Sequence, residues 1–300
     1  MLFQEYGVQP PQCDGLTALL TKFCRCYGRG KVFLAGRSLL GRPIPLLGVG
    51  NLNCPVLMVG GVHCGEWLTV LLLLRFAEES LAALAGRQPL YGVELDRCLE
   101  RRGLLVLPCL NPDGTEIALW GPSAAGFCSD LVGRQWYQGC LWQANARGVD
   151  LNHNFDAGWQ QLHRLEHQQG IVGPCPSRYG GASPHSEPET QAVVNLCRRV
   201  GCSAVYAFHS QGEEIYYSYG SNTPPQSLMM AKLLAGCCGY RVAQPTGTAA
   251  HGGLKDWFIK ETGRPGFTFE VGKGKNPLPL EDLPAIYDKL AEAMTAAVIL

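Results

Sequence analysis

Residues 56–84 read VLMVGGVHCGEWLTVLLLLRFAEESLAAL, and the fold prediction begins from this stretch. The apolar run 56–60 ends in glycine, which predicts a short buried strand. The run 66–84 is rich in leucine and alanine and contains no helix breaker, so it predicts a helix directly after the strand. A strand followed at once by a helix is typical of alternating α/β chains, in which helices cover a sheet.

The same alternation continues along the rest of the chain. Short apolar runs bounded by glycine, proline or asparagine predict further strands at 32–35, 45–49, 104–107, 204–208, 215–219 and 267–271. Longer regular runs predict helices at 191–200, 226–238, 254–260 and 283–299. Ser186 can cap the start of the first of these helices, and Pro188 suits its first turn.

Residues 111–183 show little periodicity and contain many glycines, tryptophans, asparagines and glutamines, so long loops are predicted there. No linker, repeat or charge block divides the chain. We therefore predict a single domain over 1–300, with 1–41 as an N-terminal extension. The alternation of strands and helices predicts a three-layer α/β/α fold, with the sheet between the helices.

The composition excludes several classes of protein. The 25 Lys+Arg balance the 25 Asp+Glu, so the net charge is zero. This balance argues against binding of nucleic acid or of an anionic membrane by bulk electrostatics. Apolar residues make up 46% of the chain, which is enough for a large core. The apolar stretch 67–74 is far shorter than the about 20 residues of a membrane helix, so a soluble protein is expected.

The fourteen cysteines carry no C-x-x-C pair, and Cys237 and Cys238 are adjacent, which gives little support to a structural zinc cage. Residues 1–15 lack the basic start and apolar run of a signal peptide. We therefore expect reduced thiols in the cytoplasm. Most of the cysteines are expected to be small core residues.

The sequence His63-Cys64-Gly65-Glu66 lies where the predicted strand 56–60 passes into the helix. Open α/β folds place their binding sites at this end of the sheet. A histidine and a glutamate three residues apart can both bind one zinc ion. A catalytic zinc takes three protein ligands and keeps the fourth position for water, so a third ligand should be distant in sequence. The alternative is a helix-capping glutamate beside a hydrogen-bonded histidine.

Two further polar residues stand at the ends of predicted strands. His209 follows 204–208 directly and can be the third ligand; the alternative is a hydrogen-bonded loop histidine. Glu270 lies in the apolar run 267–271, where an unpaired charge would cost several kcal/mol. A glutamate beside a zinc site can take a proton from water and deliver it to a leaving amine. The alternative is a carboxylate paired with Lys273 or Arg264.

Together these residues resemble the zinc carboxypeptidase family. The resemblance extends from about Arg42 to the C-terminus, and its motifs are specific only as a set. The matching motifs are His63-x-x-Glu66, Asn111-Pro112-Asp113-Gly114, Arg147-Gly148-Val149-Asp150-Leu151-Asn152-His153-Asn154-Phe155, Ala207-Phe208-His209 and Phe267-Thr268-Phe269-Glu270.

The resemblance implies one Zn²⁺ ion on His63, Glu66 and His209, with Glu270 as general base and acid toward a peptide-like amide. It also implies a mixed eight-stranded sheet between helices. It places Arg147 and Asn152 among the substrate-binding residues.

Three positions depart from the family pattern. Gln143 stands where shorter-looped members have an arginine or lysine that stabilises the oxyanion, and a neutral amide can still donate a hydrogen bond there. His153 replaces the arginine that clamps a terminal carboxylate, and only a protonated imidazole would do this well. Thr248 occupies about the place of a tyrosine, for which His251 is a substitute. These changes argue against an ordinary carboxypeptidase.

The segment 252–259, followed by Arg264-Pro265-Gly266, resembles the branch that cleaves γ-D-glutamyl-meso-diaminopimelate bonds in cell-wall peptides. Lys255 falls where this family sets its preference for the residue after the cut. An ammonium there favours a side group that carries a carboxylate, as diaminopimelate does. The alternative for Lys255 is a solvated helix lysine. The predicted function is therefore hydrolysis of muropeptides by a zinc-activated water.

Several other interpretations stay open at this point. One is an N-acyl amino acid deacylase of the related amidohydrolase type, although the 146 residues between His63 and His209 are long for that family. Another is a muropeptide-binding protein with weakened catalysis, to which Glu270 would be superfluous. Cys64 as a thiol nucleophile lacks an oriented histidine partner. The aromatic residues of the loop region either line a substrate groove or pack beneath it: Trp136, Tyr137 and Trp142.

Overall fold

Short apolar runs form the strands of one mixed sheet, and longer ones form the helices that cover it. The structure, a computed structural model, describes residues 2–3, 9–137 and 139–300. The strands are β1 (Lys31–Arg37), β2 (Pro43–Val49), β3 (Val56–Val59), β4 (Leu104–Leu107), β5 (Ala204–His209), β6 (Glu214–Tyr216), β7 (Arg241–Ala243) and β8 (Gly266–Glu270).

The α-helices described in full lie on both faces of this sheet. They are α1 (Leu16–Tyr27), α2 (Leu68–Gly86), α3 (Leu95–Arg101), α4 (Pro112–Trp120), α5 (Ser129–Gln135), α6 (Trp159–Gln168), α7 (Pro188–Val200), α8 (Ser227–Cys238), α9 (Leu254–Thr262) and α10 (Leu283–Ile299). None of them is long and apolar enough to span a bilayer.

The strand order is β1-β2-β4-β3-β5-β8-β6-β7. The central strands β4, β3, β5 and β8 run parallel, whereas β2 pairs antiparallel with β4 and β6 pairs antiparallel with β8. The parallel strands all end at the same edge of the sheet. At this edge His209 of β5 pairs in register with Glu270 of β8, and β3 leads into the segment that carries His63. The topology thus brings the predicted functional residues to one place.

Both faces of the central strands are buried, which explains why they read as continuous apolar runs rather than alternating ones. Val56 and Met58 pack against α1, α2, α8 and α10 on one face. Leu57 and Val59 pack against α7 and α9 on the other. This arrangement confirms the predicted α/β/α fold with a mixed eight-stranded sheet.

The prediction of long loops over 111–183 is wrong, because α4, α5 and α6 all lie in this segment. The Asn111 side chain caps α4 by accepting a hydrogen bond from Gly114 N, and Pro112 occupies its first turn. These two residues are helix-start signals that the glycine- and tryptophan-rich composition of the segment obscures. Most residues of helix α6 are polar, and only Leu162 and Glu166 are buried, so the segment resembles a loop in composition.

Other differences are smaller. Strand β6 ends at Tyr216, short of the predicted 219, and helices α1 and α3 and strand β7 were not predicted. Helix α7 starts at Pro188 with Glu187, not Ser186, at its N-cap position. All fourteen cysteines are free, but only six are buried, so the prediction that most of them are core residues is wrong.

Candidate metal centre

The side chains of His63, Glu66 and His209 converge at the carboxyl edge of the sheet. His63 precedes a 3-10 turn, Cys64–Glu66, and His209 is the last residue of β5. His63 Nδ1 is 3.0 Å from Glu66 Oε1, and His209 Nδ1 is 3.1 Å from Glu66 Oε2. The two Nδ1 atoms are 3.2 Å apart. The alternatives of a capping glutamate and a loop histidine do not describe this three-sided cluster.

The three residues fit a zinc ion. Zinc–nitrogen bonds of about 2.0–2.1 Å in a tetrahedral site place two ligand atoms about 3.3 Å apart. The observed spacing of 3.0 to 3.2 Å between ligand atoms is close to this value. The Nδ1 atoms of the two histidines face each other beside the buried carboxylate of Glu66. Because their lone pairs would otherwise repel, a cation or a proton must lie between them. The residues present can therefore hold the metal, with no further protein ligand needed.

Asp150 contacts the ring nitrogen of His63 that does not face Glu66 and His209. Its Oδ1 lies 3.1 Å from His63 Nε2 and also accepts a hydrogen bond from Asn152 N, while Oδ2 accepts one from Arg178 N. Burial alone would raise the pKa of Asp150, but the charges of His63 and His153 and these hydrogen bonds hold it far below its usual range. A carboxylate behind a metal-binding histidine fixes the tautomer and the ring orientation. The sequence motif contains Asp150, but we did not predict this role.

The same charges act on the candidate ligands. Burial opposes the charged form of His63, yet Glu66 and Asp150 raise its pKa well above the usual value. Burial would raise the pKa of Glu66, but the charge of His63 and hydrogen bonds from both histidines lower it to about 2. Before the metal binds, His63 is therefore protonated at neutral pH and Glu66 is ionised.

We expect zinc binding near neutral pH to release about one proton per chain, because the metal takes a neutral imidazole. Zinc affinity should therefore fall as the pH is lowered, since protons compete for His63. Calorimetric titration with zinc in buffers of different ionisation enthalpy measures the number released. Binding without proton release would show that His63 is already neutral and would contradict the charge arrangement described above.

Asp150→Asn should weaken zinc binding by about 10- to 100-fold.

Glu270 lies beside the cluster without a charged partner. Its carboxylate has no hydrogen bond or ion pair within residues 2–3, 9–137 and 139–300. Burial, reinforced by the negative charge of Glu66, raises its pKa to about 8. Lys273 pairs instead with Glu213, and Arg264 donates to the carbonyl oxygens of Gly201 and Cys202. The alternative prediction, that Glu270 pairs with Lys273 or Arg264, is therefore wrong.

Gln143 and Arg147 lie on the chain segment that precedes Asp150. Gln143 is partly exposed, and the next residue accepts a hydrogen bond from Cys64 Sγ, so Gln143 lies close to the metal-binding turn. Arg147 is half-exposed, and its guanidinium pairs with the buried carboxylate of Glu187. A role in substrate binding stays a prediction for both residues.

The remaining predicted substrate residues lie in the first turn of α9, shortly before it in the chain, or in contact with its start. Asn152 Oδ1 accepts from Leu254 N, which joins the turn after Asp150 to the start of α9. Thr248 lies in the 3-10 turn Gly247–Ala250, and its carbonyl oxygen accepts from His251 N. Lys255 is buried rather than solvated, so the alternative reading of a surface lysine is wrong. Its Nζ donates to Ser218 O and to the carboxylate of Asp256.

His153 shows a contact that the sequence did not suggest. Its Nδ1 is 2.8 Å from Glu166 Oε1, a carboxylate that is fully buried in α6. Glu166 lies in the segment predicted as loop, and only the tertiary structure brings it to His153. The signal that could have found it is a glutamate on the buried side of a polar helix.

The structure also bears on two minor alternatives, Cys64 as a nucleophile and the aromatic residues of the segment 111–183. Cys64 is buried and donates to Ala144 O, and burial raises the pKa of its thiol well above the usual value, so it is no nucleophile. Trp142 is fully buried in packing contact with the partly exposed Trp136, whereas Tyr137 is largely exposed.

A sequence model of the zinc carboxypeptidase family matches residues 18–293. The chain belongs to the zinc carboxypeptidase family. This confirms the resemblance that the motifs predicted, and with it the zinc cofactor.

Among the similar members is γ-D-glutamyl-L-diamino acid endopeptidase 1 of Lysinibacillus sphaericus, which is 34% identical over 259 residues. That match covers 85% of this chain but 63% of the relative, so this zinc carboxypeptidase chain spans less than two thirds of it.

Solved structures show the same fold. Bovine thrombin-activatable fibrinolysis inhibitor aligns with a TM-score of 0.73 at 20% identity and covers 98% of this chain and 97% of its own. Murein-tripeptide amidase MpaA from Escherichia coli O157 aligns with a TM-score of 0.57 at 22% identity and covers 88% of this chain and 91% of its own. At these identities the likeness concerns the fold alone.

Proposed function

We propose that the protein is a zinc metallopeptidase that hydrolyses the γ-D-glutamyl-meso-diaminopimelate bond of muropeptides. The observation that carries this proposal is the unpaired Glu270 carboxylate beside the cluster of His63, Glu66 and His209. The similar endopeptidase of Lysinibacillus sphaericus supports the class of substrate. Cytoplasmic residence is part of the proposal, supported by the fourteen free thiols.

Each residue of the site has a separate task in this proposal. Zinc, when bound, supplies a Lewis acid that polarises the scissile carbonyl and makes water nucleophilic near neutral pH. Glu270 takes a proton from the attacking water and returns it to the leaving amine. Asp150 holds the ring of His63 in the orientation that the metal requires. Gln143 donates a hydrogen bond to the developing oxyanion.

Lys255 and Asp256 provide the selectivity. The side chain of meso-diaminopimelate ends in an ammonium and a carboxylate. The carboxylate of Asp256 is complementary to that ammonium, and the ammonium of Lys255 is complementary to that carboxylate. An ammonium has three N–H donors, of which Lys255 uses one on Ser218 O and one on Asp256. The third can donate to the carboxylate of diaminopimelate. Lysine in the same place lacks that carboxylate and leaves the donor without a partner.

The test compares L-alanyl-γ-D-glutamyl-meso-diaminopimelate with its lysine counterpart, using the zinc-loaded protein and detecting fragments by mass spectrometry. We expect chelator-sensitive cleavage of the diaminopimelate peptide with a clear preference over the lysine peptide. Lys255→Met should reduce that preference by about 10- to 100-fold, because a hydrogen bond to a charged group is lost. Cleavage of neither peptide by protein with zinc bound would overturn the proposed substrate.

Matched variants keep this result interpretable. Lys260→Met changes a lysine on the same helix whose ammonium is half-exposed and pairs with Asp156, and it should leave the preference intact. Lys255→Met alone leaves Asp256 buried without its partner, so thermal unfolding is measured in parallel. The double variant K255M/D256N removes both charges and should show the same loss of preference without that instability.

A further inference from the structure

Ser210, the residue after His209, lies between the metal centre and the loop that follows Glu270. Ser210 is buried, and its backbone N–H donates a hydrogen bond of 3.2 Å to Glu66 Oε2. Its hydroxyl donates to Asn276 Oδ1 at 2.8 Å, and its carbonyl oxygen accepts from Asn276 Nδ2 at 2.7 Å. All three polar groups of Ser210 are therefore bonded, one to a metal ligand and two to a single amide side chain.

The contact between Ser210 and Glu66 gains importance when the metal binds. In the metal-free protein the carboxylate of Glu66 also faces Nδ1 of His63 and Nδ1 of His209. A ring nitrogen that binds zinc carries no hydrogen, so neither histidine can donate from that atom to Glu66 once the metal is bound. Within residues 2–3, 9–137 and 139–300, the N–H of Ser210 is then the remaining hydrogen-bond donor to this carboxylate.

The amide of Asn276 can satisfy Ser210 in one orientation only. The donor Nδ2 must face the carbonyl oxygen of Ser210, because two facing oxygens would repel, and Oδ1 then accepts from the hydroxyl. One side chain thus holds Ser210 at its side chain and at its backbone. This leaves the residue little freedom to rotate, so its N–H stays directed at Glu66.

The backbone alone does not hold Ser210 in this way. Two backbone hydrogen bonds extend the pairing of β5 with β8 beyond the strand ends: Val271 N to His209 O at 2.7 Å and Gly212 N to Gly272 O at 2.9 Å. Neither of them involves Ser210. The loop after β8 is exposed over 273–275 and returns to the site at the partly buried Asn276. The side chain of Asn276 therefore supplies the contact that these backbone bonds lack.

We infer that Asn276 is a positioning residue for the metal centre, which acts through Ser210 to hold the carboxylate of Glu66 in the orientation that binds zinc. Hydrogen-bond partners that orient metal ligands contribute to metal affinity although they do not touch the metal. Asn276 acts on zinc binding whichever amide bond the enzyme cleaves. Failure to cleave muropeptides would therefore overturn the proposed function and leave this role of Asn276 intact.

The first experiment measures the zinc affinity of the metal-free protein by competition with a chromophoric zinc chelator. Asn276→Ala removes both hydrogen bonds to Ser210 and should raise the Kd for zinc about tenfold, the lower end of the range for residues that orient metal ligands. Ser210→Ala removes only the hydroxyl bond and should raise Kd about threefold. An unchanged Kd in both variants would overturn the inference.

The double variant S210A/N276A tests whether Asn276 acts through Ser210. Its Kd should equal that of Asn276→Ala, because this single substitution already removes the partner of the Ser210 hydroxyl. Effects of the two substitutions that simply multiply would show that Asn276 influences zinc binding by another route, and would contradict the inference.

Thermal unfolding of the metal-free variants separates positioning from a general loss of stability. Asn222→Ala is the matched control, since Asn222 Nδ2 likewise donates to a backbone carbonyl, that of Lys260 at 2.9 Å, outside the metal centre. It should keep the Kd of the unmodified protein. A lower unfolding temperature of Asn276→Ala together with an unchanged Kd would show that Asn276 only stabilises its loop.

Cobalt in place of zinc gives a readout of the ligand arrangement itself. The visible absorption bands of Co²⁺ depend on coordination geometry, and saturating cobalt compensates for any loss of affinity. We expect shifted bands for Asn276→Ala and the spectrum of the unmodified protein for Asn222→Ala. An unshifted spectrum for Asn276→Ala would show that Glu66 keeps its orientation without Asn276, and the inference would be wrong.

Discussion

Replacing Glu270 with glutamine is expected to lower kcat/KM for the diaminopimelate peptide by about 10²- to 10⁴-fold, the range for loss of a general base. The side chain keeps its shape but can no longer accept a proton. Zinc content should stay at one ion per chain, because Glu270 lies outside the cluster of His63, Glu66 and His209. Steady-state hydrolysis and metal analysis of the purified variant measure both quantities.

The pH dependence of the free energy of unfolding provides a check on the folding of Glu270→Gln. The pKa of Glu270 is raised to about 8 in the metal-free protein, so between its unfolded value and about pH 8 the folded state binds the extra proton. Stability contributed by this group is therefore present at low pH and is lost as the pH rises. Metal-free Glu270→Gln should accordingly match the unmodified protein at about pH 4 and exceed its stability near pH 8.

Glu261→Gln is the matched control, since Glu261 is a partly exposed glutamate whose pairing with Arg198 lies outside the site. It should retain full activity. Retention of more than about a tenth of the activity by Glu270→Gln would show that another group serves as the base. If the unmodified protein and Glu270→Gln both fail to cleave muropeptides but bind them equally, the binding-protein alternative is correct.

The strand-end residues could be predicted because their position follows from local patterns. His63, His209 and Glu270 each interrupt or end an apolar run, and in a parallel sheet such residues meet at one edge. The structure pairs His209 with Glu270 in register and brings His63 beside them. Local sequence was sufficient here because topology, not side-chain detail, positions these residues.

Glu166 and the environment of Lys255 could not be predicted in the same way. Glu166 contacts His153 across 13 residues, from a helix whose polar sequence resembles loop. Lys255 lies on a helix where the pattern alone does not distinguish a solvated ammonium from a buried one. Its partner is the adjacent Asp256, and its burial depends on the segment around Ser218. Both features depend on packing between segments that have no regular spacing.

Zinc is expected to raise the unfolding temperature of the metal-free protein by roughly 8 °C. A ligand that binds only the folded state, at a free concentration of a thousand times Kd, stabilises it by about 4 kcal/mol. About 2 °C per kcal/mol is typical of chains of this size. The structural reason is that metal-free His63, Glu66 and His209 are held close together in a buried cluster, which the unfolded chain cannot reproduce. Scanning calorimetry with and without zinc measures the shift.

His209→Ala should abolish that shift, because it leaves only two ligands on the segment 63–66. His167→Ala is the matched control, since His167 is an exposed histidine on α6 outside the cluster, and it should keep the full shift. The unfolding temperature of each metal-free variant serves as its own baseline, so a loss of stability by the substitution itself does not affect the comparison. An undiminished shift in His209→Ala would mean that zinc binds elsewhere on the chain and that β5 does not supply the third ligand.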